Sequence, residues 1–209
     1  MSSLPRSFYT RPDVVQVACD LLGKHLVTRM NGVLSSGIIC ETEAYAGTTD
    51  RASHAFAGRR TVRTEVMYAQ GGTAYVYLCY GVHSLFNIVT NIKDVPHAVL
   101  IRGIIPLEGT ETMLRRSGKK QITKNFGIGP GKVSKLLGIH YSHTGLDLTT
   151  KHENKAHTAI WLEDNGIVIN SEMIMKGTRV GVEYAGVDAL LPYRFRIFNK
   201  KTRIEPGFP

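Results

Sequence analysis

With 209 residues, 43% of them hydrophobic and 21% charged, the chain is long enough to bury a sizeable core as one domain, 1–209. Twenty-six lysines and arginines against 17 acidic residues leave a formal charge of +9, which favours a polyanionic partner. No window approaches the roughly 18 uninterrupted apolar residues of a membrane span, the first residues lack an apolar signal core, and three widely spaced cysteines (Cys19, Cys40, Cys79) form no CxxC. The expectation is a cytoplasmic protein with reduced thiols and no membrane contact.

Thr10, Pro12 and Asp13 read as a helix start with Thr10 as the cap. Val14, Val15, Ala18, Leu21 and Leu22 form its stripe, and Gly23 stops it. "KHLVTRM" and "LSSGIICETEAY" read as two strands joined at Asn31-Gly32. Ala46 to Gly72 is polar, Gly-rich and aperiodic, a length that points to function. "GTAYVYLCYGVHSLFNIVT" reads as a hairpin turning at Gly81, and "HAVLIRGIIPLEG" as a strand broken at Pro106. Glu108 to Arg116 reads as a short helix, and "GIGPGKVSKLLGI" as a loop entering a helix from about Lys132 to Leu137. "AIWLEDNG" and "IVINSEMIMKGTRVGVEYAG" read as strands around a turn, and "PYRFRIFN" as a last strand. The fold class is α+β with mostly antiparallel pairing.

Three features carry chemistry. In "GIICETEAYAG", strand alternation puts Ile39, Glu41, Glu43 and Tyr45 on one face. A carboxylate at a strand end beside an aromatic ring is either a positioned base or half of a surface ion pair. Two carboxylates so close on one strand make a poor version of the pair that flanks a sugar bond. Tyr45, Tyr75, Tyr77 and Tyr80 lie near turns or strand ends, where rings either fill the core or stack on planar ligands. Tyr80, followed by Gly81, stands at a hairpin tip and suits a wedge between base pairs. The eight histidines show no HExxH and join no cysteine set, so no metal site and no cofactor are expected.

The blocks "ETEAYAGTTDRASHAFAGRRTVRTEVMY", "GGTAYVYLCYGVHSLFNIVT", "LIRGIIPLEG", "GPGKVSKLLGI", "AIWLE" and "RVGVEYAG…PYRFRI" occur in order from about Phe8 to Phe198. Together they resemble the alkyladenine (3-methyladenine) DNA glycosylase family of mammals and many bacteria. The resemblance implies a curved antiparallel sheet with a protruding hairpin, and a damaged purine nucleotide flipped out of double-stranded DNA. It implies Glu43 as the base that activates water, with Arg102 beside it. It implies Tyr45, Tyr77 and His54 as walls around the flipped base, Asn87 crowding a guanine 2-amino group, and Val180 and Gly181 as backbone contacts. Tyr80 resembles the residue that fills the gap in the duplex, and Arg59, Arg60, Arg63, His83 and Lys132 are expected at the DNA backbone.

The chain departs from the mammalian pattern in carrying His83 where those members have another aromatic residue. The segment before Arg102 is about two residues longer, and the long N-terminal extension is absent. The implied activity is monofunctional release of alkylated purines by a monomer. A non-catalytic nucleic-acid-binding domain is the alternative, and a hydrolase of free nucleosides the third reading.

Overall fold

Asn31 (φ 52°) and Gly32 (φ 79°) adopt the left-handed conformations of a two-residue hairpin turn, as the Asn-Gly pair implies. The computed structural model describes residues 2–150 and 157–197. His152 and the basic run at 199–203 lie outside them. Among the described residues one sheet contains nine strands. They are β1 (Ser2–Ser3), β2 (His25–Met30), β3 (Val33–Tyr45), β4 (Ala74–Cys79), β5 (His83–Thr90), β6 (His97–Glu108), β7 (Thr158–Asp164), β8 (Ile174–Gly177) and β9 (Arg194–Ile197). The order is β1-β7-β2-β3-β6-β5-β4, with β9 joining β3 beyond the end of β2 and β8 joining β9, and the pairing is antiparallel throughout. No described helix is long and apolar enough to cross a membrane.

The helices are α1 (Arg6–Tyr9), α2 (Val14–Asp20), α3 (Thr110–Ser117) and α4 (Pro130–Leu137). Asp13, not Thr10, caps α2, its carboxylate accepting the Gln16 N–H at 3.0 Å. Thr10 instead closes α1, donating its N–H to the Arg6 carbonyl. The strand expected to break at Pro106 runs on to Glu108. Pro106 lies opposite Gly37, where the register with β3 shifts, so the ladder is already irregular where the proline lacks an N–H. The segment after β7 holds less strand than expected. Asn165 and Asn170 accept from the N–H groups of Ile167 and Glu172, turning the backbone locally in place of a ladder, and only β8 is paired.

The two faces of the sheet have different covers. Ile39, Ile88, Val99, Ile101 and Phe195 point to the main core, under α2 and α4, with α3 packed on α4. Tyr75, Val89 and Ala98 point the other way, against Ala55, Met67 and Tyr68 of the long 46–72 segment. That segment is ordered by three short 3-10 turns. It is a wall built over one face, and the site lies between it and the sheet.

The wall meets the sheet where β3 and β6 are both distorted. Ile39 pairs with Ile104, Glu41 with Gly103, and Thr42 with Ile101, so Cys40 and Arg102 each drop out of the ladder. The displaced Arg102 carbonyl accepts the Gly129 N–H at 2.8 Å. Ile39 thereby packs in the main core beside Cys40, while Glu41 and Glu43 keep the opposite face. The strands approach so closely that a Cβ on Gly103 would sit 3.0 Å from the Glu41 Cβ. Bulges of this kind re-aim side chains beside active sites.

Candidate active site

Glu43 is fully buried near the end of β3, yet its carboxylate is surrounded by donors. Oε1 accepts the Val180 N–H at 2.8 Å, and Oε2 accepts the Tyr45 hydroxyl at 2.9 Å. Arg102 Nε stands 3.3 Å from Glu43 Oε1 and 3.1 Å from Glu41 Oε1, so one guanidinium serves both carboxylates. Arg194, paired with Glu43 across β3 and β9, completes the group at 2.6 Å from Glu41 Oε1. Burial pushes the Glu43 carboxyl above its ordinary range, opposed by Arg102, the Val180 amide, the Tyr45 hydroxyl and Arg194. The result is a desolvated carboxylate held by three donors, which is the condition of a general base.

A cavity of about 430 Å³ opens beside this carboxylate, in the size range of sites for small planar molecules. Tyr45, His54, Tyr77, Asn87, Arg102, Val180 and Gly181 line it together with Tyr75, whereas Glu43 lies behind the lining and bonds three of its members, Tyr45, Arg102 and Val180. The His54 ring stands edge-on to Tyr77, with centroids 4.7 Å apart. His54 Nδ1 is 2.8 Å from the Tyr75 hydroxyl. Burial, with Arg63 and Arg59 nearby, lowers the His54 pKa to about 4, so the imidazole is neutral at physiological pH. Asn87 is buried and donates to the carbonyls of Tyr75 and Leu85, which fixes its amide against the cavity.

Tyr80 stands at the tip of the β4–β5 hairpin, 95% exposed, with φ 51° beside Gly81 at φ 70°. The Val82 N–H closes the turn on the Cys79 carbonyl at 3.1 Å. Exposed Val82 sits next to it, so the tip presents an aromatic and an aliphatic side chain to solvent. Behind the hairpin lies a second cavity of about 670 Å³, with His83, Lys119, Lys132 and Lys135 in its lining.

The expected backbone-binding residues divide. Arg59 and Arg63 are exposed on the 46–72 wall, but the Arg63 guanidinium lies 5.0 Å from the Tyr77 ring centroid and belongs to the cavity lining as well. Arg60 is held between Glu65 and Asp94, both at 2.8 Å, and covers the Tyr68 ring. Lys132 donates to the Asn125 carbonyl beside the second cavity.

Sequence reasoning missed Arg194 and Arg179, and it left Tyr75 between core packing and a stacking role. Arg194 and Arg179 lie 153 and 135 residues along the chain from their partners Glu41 and Ala44, a distance that spacing does not reveal. Tyr75 shares a strand face with Tyr77, and that period of two was the available signal.

A buried carboxylate with an arginine, at the end of an aromatic cavity beside an exposed hairpin in a cationic chain, is an arrangement suited to hydrolysis within a polyanion. The methylpurine-DNA glycosylase family model matches residues 7–201. A Clostridium perfringens (strain 13) protein named "Putative 3-methyladenine DNA glycosylase" is 42% identical over 205 residues, covering 95% of this chain and 97% of its own. A Chlamydia felis protein of the same name is 41% identical over 201 residues, covering 96% and 98%. One from Bacillus cereus (strain AH187), again of that name, is 41% identical over 196 residues, covering 91% and 93%. This chain belongs to the methylpurine-DNA glycosylase family, and it is a DNA glycosylase.

Proposed function

We propose that the protein excises alkylated purines, chiefly 3-methyladenine and 7-methylguanine, from double-stranded DNA, leaving an abasic site. Hypoxanthine is a slower substrate, and ethenoadenine falls within the range. The observation that carries this reading is the buried Glu43 carboxylate, held by Arg102, Tyr45 and the Val180 amide, three residues that line a cavity of about 430 Å³.

Flipping the damaged nucleotide puts its base between Tyr45 and Tyr77, against His54, while Tyr80 occupies the gap in the stack. As the bond between the sugar C1′ and the base nitrogen breaks, its electron pair goes to the base. In 3-methyladenine and 7-methylguanine that pair neutralises the positive charge of the alkylated ring, so the leaving group needs no protonation. Positive charge develops on the sugar and faces the Glu43 carboxylate. Water bound by the Glu43 carboxylate, beside Arg102, then adds to C1′ and gives its proton to Glu43. One carboxylate serves both purposes, and Glu41, bound by Arg102 and Arg194, is occupied in holding the arginines. Among the described residues no lysine bonds Glu43 or lines the cavity, and excision proceeds without a covalent sugar adduct or strand cleavage.

Hypoxanthine offers an oxygen at purine position 6 to a backbone N–H near His54, whereas adenine presents an amino donor and leaves two donors opposed. Asn87 disfavours guanine through its 2-amino group, and the good leaving group of 7-methylguanine offsets that penalty. The exposed Arg59 and Arg63, with His83 and Lys132 behind the hairpin, supply phosphate contacts, and the protein acts as a monomer.

The test is Glu43→Gln on methylated duplex DNA without added metal. Binding to damaged or abasic-analogue duplex should be kept, while base release falls by orders of magnitude. Near-wild-type release would overturn the reading, and so would a borohydride-trapped adduct for the monofunctional part. A non-catalytic binding domain leaves Glu43 without a role, because a buried carboxylate in a phosphate-binding cleft repels its ligand.

A further inference from the structure

Arg179 and Asp50 form an ion pair that has no place in the chemistry above. Both side chains are almost wholly buried, at 0% and 2% exposure. Arg179 Nη1 donates to Asp50 Oδ2 at 2.5 Å and to the Ala44 carbonyl at 2.9 Å. Nη2 donates to Asp50 Oδ1 at 2.8 Å and to the Asp188 carbonyl at 3.1 Å. The guanidinium also lies 4.9 Å from the Tyr45 ring centroid and 5.3 Å from that of Tyr193. Asp50 in turn accepts the N–H groups of Ala46 and Ala52, each at 3.0 Å. A single pair therefore joins the end of β3, the start of the 46–72 wall and the segment between β8 and β9.

That segment has no ladder of its own. β8 ends at Gly177 and β9 begins at Arg194, and between them lies a 3-10 stretch kinked at Gly186. Val182 and Ala185 pack on Ala52, and Asp188 accepts the Arg51 N–H at 2.9 Å, so these anchors lead to the wall, while the Tyr193 carbonyl accepts the Ala44 N–H of β3 at 2.8 Å. The residue after Arg179 is Val180, whose N–H meets Glu43 Oε1. Buried ion pairs add little net stability over apolar replacements of similar size, so stability is a weak account of this one. Geometry is a better one.

We propose that the Arg179–Asp50 pair is a positioning device for the hydrolytic centre: it aims the Val180 amide at Glu43 and holds the Tyr45 ring and hydroxyl in place. Arg179 touches neither substrate nor water and acts through these two groups. The inference rests on the reading of Glu43 as the base. The other charged and titratable groups facing Glu43 are Arg102 from β6, Arg194 from β9 and Tyr45 from its own strand, with Glu41 bound to both arginines.

The experiment compares wild type with Arg179→Lys, which keeps the buried positive charge but lacks the planar fork. The double variant Arg179→Met/Asp50→Asn, which leaves no lone buried charge, carries the same test if the lysine variant fails to accumulate. Single-turnover base release from methylated duplex DNA should slow about 10- to 100-fold, as a small misplacement of a catalytic group does. The acid limb of its pH profile should move to higher pH, because Glu43 loses a donor to its charged form. Binding to an abasic-analogue duplex should stay within about threefold of wild type, since such a duplex presents no base to the Tyr45 ring that the pair holds. A merely structural role lowers melting temperature or active fraction without moving the acid limb. Wild-type rate and pH profile in either folded variant would overturn the inference. If Glu43→Gln is inactive while Arg179→Lys is normal, only this inference fails; if Glu43→Gln is active, the reading of the base fails with it.

Discussion

Tyr45 donates its hydroxyl to the carboxylate of Glu43, two residues earlier on the same strand, at 2.9 Å. In the proposed function, the ring that stacks on the base therefore also supports the group that activates water. Tyr45→Phe separates the two duties. It keeps the stacking surface and removes one charge-assisted hydrogen bond, worth about 1.5–3 kcal/mol. Base release should slow about 10- to 100-fold while affinity for damaged duplex is retained, and the acid limb of the pH profile should rise. Single-turnover kinetics from acid to neutral pH check both, and a large loss of binding with normal chemistry would assign the hydroxyl to the substrate.

The raised pKa of Glu43 has a consequence for stability. The folded chain holds this proton more tightly than the unfolded chain. The stability that the protonated group contributes is complete below the unfolded pKa and is lost as pH climbs through the folded one. Glu43→Gln does not lose it, and Arg102 keeps Glu41 as a partner. The variant should melt higher than wild type at pH 7, and the difference should vanish below about pH 4. Calorimetry at several pH values gives the answer. A variant that melts lower at pH 7 would mean that the arginines outweigh burial.

His54 should remain neutral wherever the enzyme is used. With its pKa lowered to about 4, its ring nitrogens should show no titration between about pH 5 and 8 in a nitrogen-15 NMR experiment. A midpoint near 6.5 would put a charged imidazole against the cavity and change which bases it admits.

Tyr80→Ala tests the hairpin. Excision from duplex should fall far more than excision from single-stranded substrate, because only the duplex must be opened. Equal losses on both would mean that the ring supports the fold, a poor match to its 95% exposure.

The parts of the fold legible in the sequence are those set by neighbours. Asn31-Gly32 dictated a turn through its backbone conformations, and alternation put Glu41, Glu43 and Tyr45 on one face. Ile39 broke that alternation because Cys40 is bulged, and no local preference announces a bulge. The strands expected after β7 gave way to Asn side chains bonding the nearby backbone. In the site, Glu43, Tyr45 and Tyr77 were legible from strand period and family motif. Arg194 and Arg179 were not, because an arginine's partner is chosen by the sheet order that brings β9 beside β3 and by the packing of the 177–193 segment on the wall.

The left-handed backbone of Tyr80 bears on how lesions are found. A side chain with a Cβ held at φ 51° is disfavoured by about 1–2 kcal/mol, a cost met once when the chain folds. In the function proposed above, the turn that carries the ring is formed before DNA is met, and the wedge needs no backbone reordering at each base pair. On that proposal an intact stack turns the wedge away, whereas a loosened one yields. Sampling along the double helix would then be a mechanical test of how firmly each pair is seated, made before any chemical group of the damaged base is read.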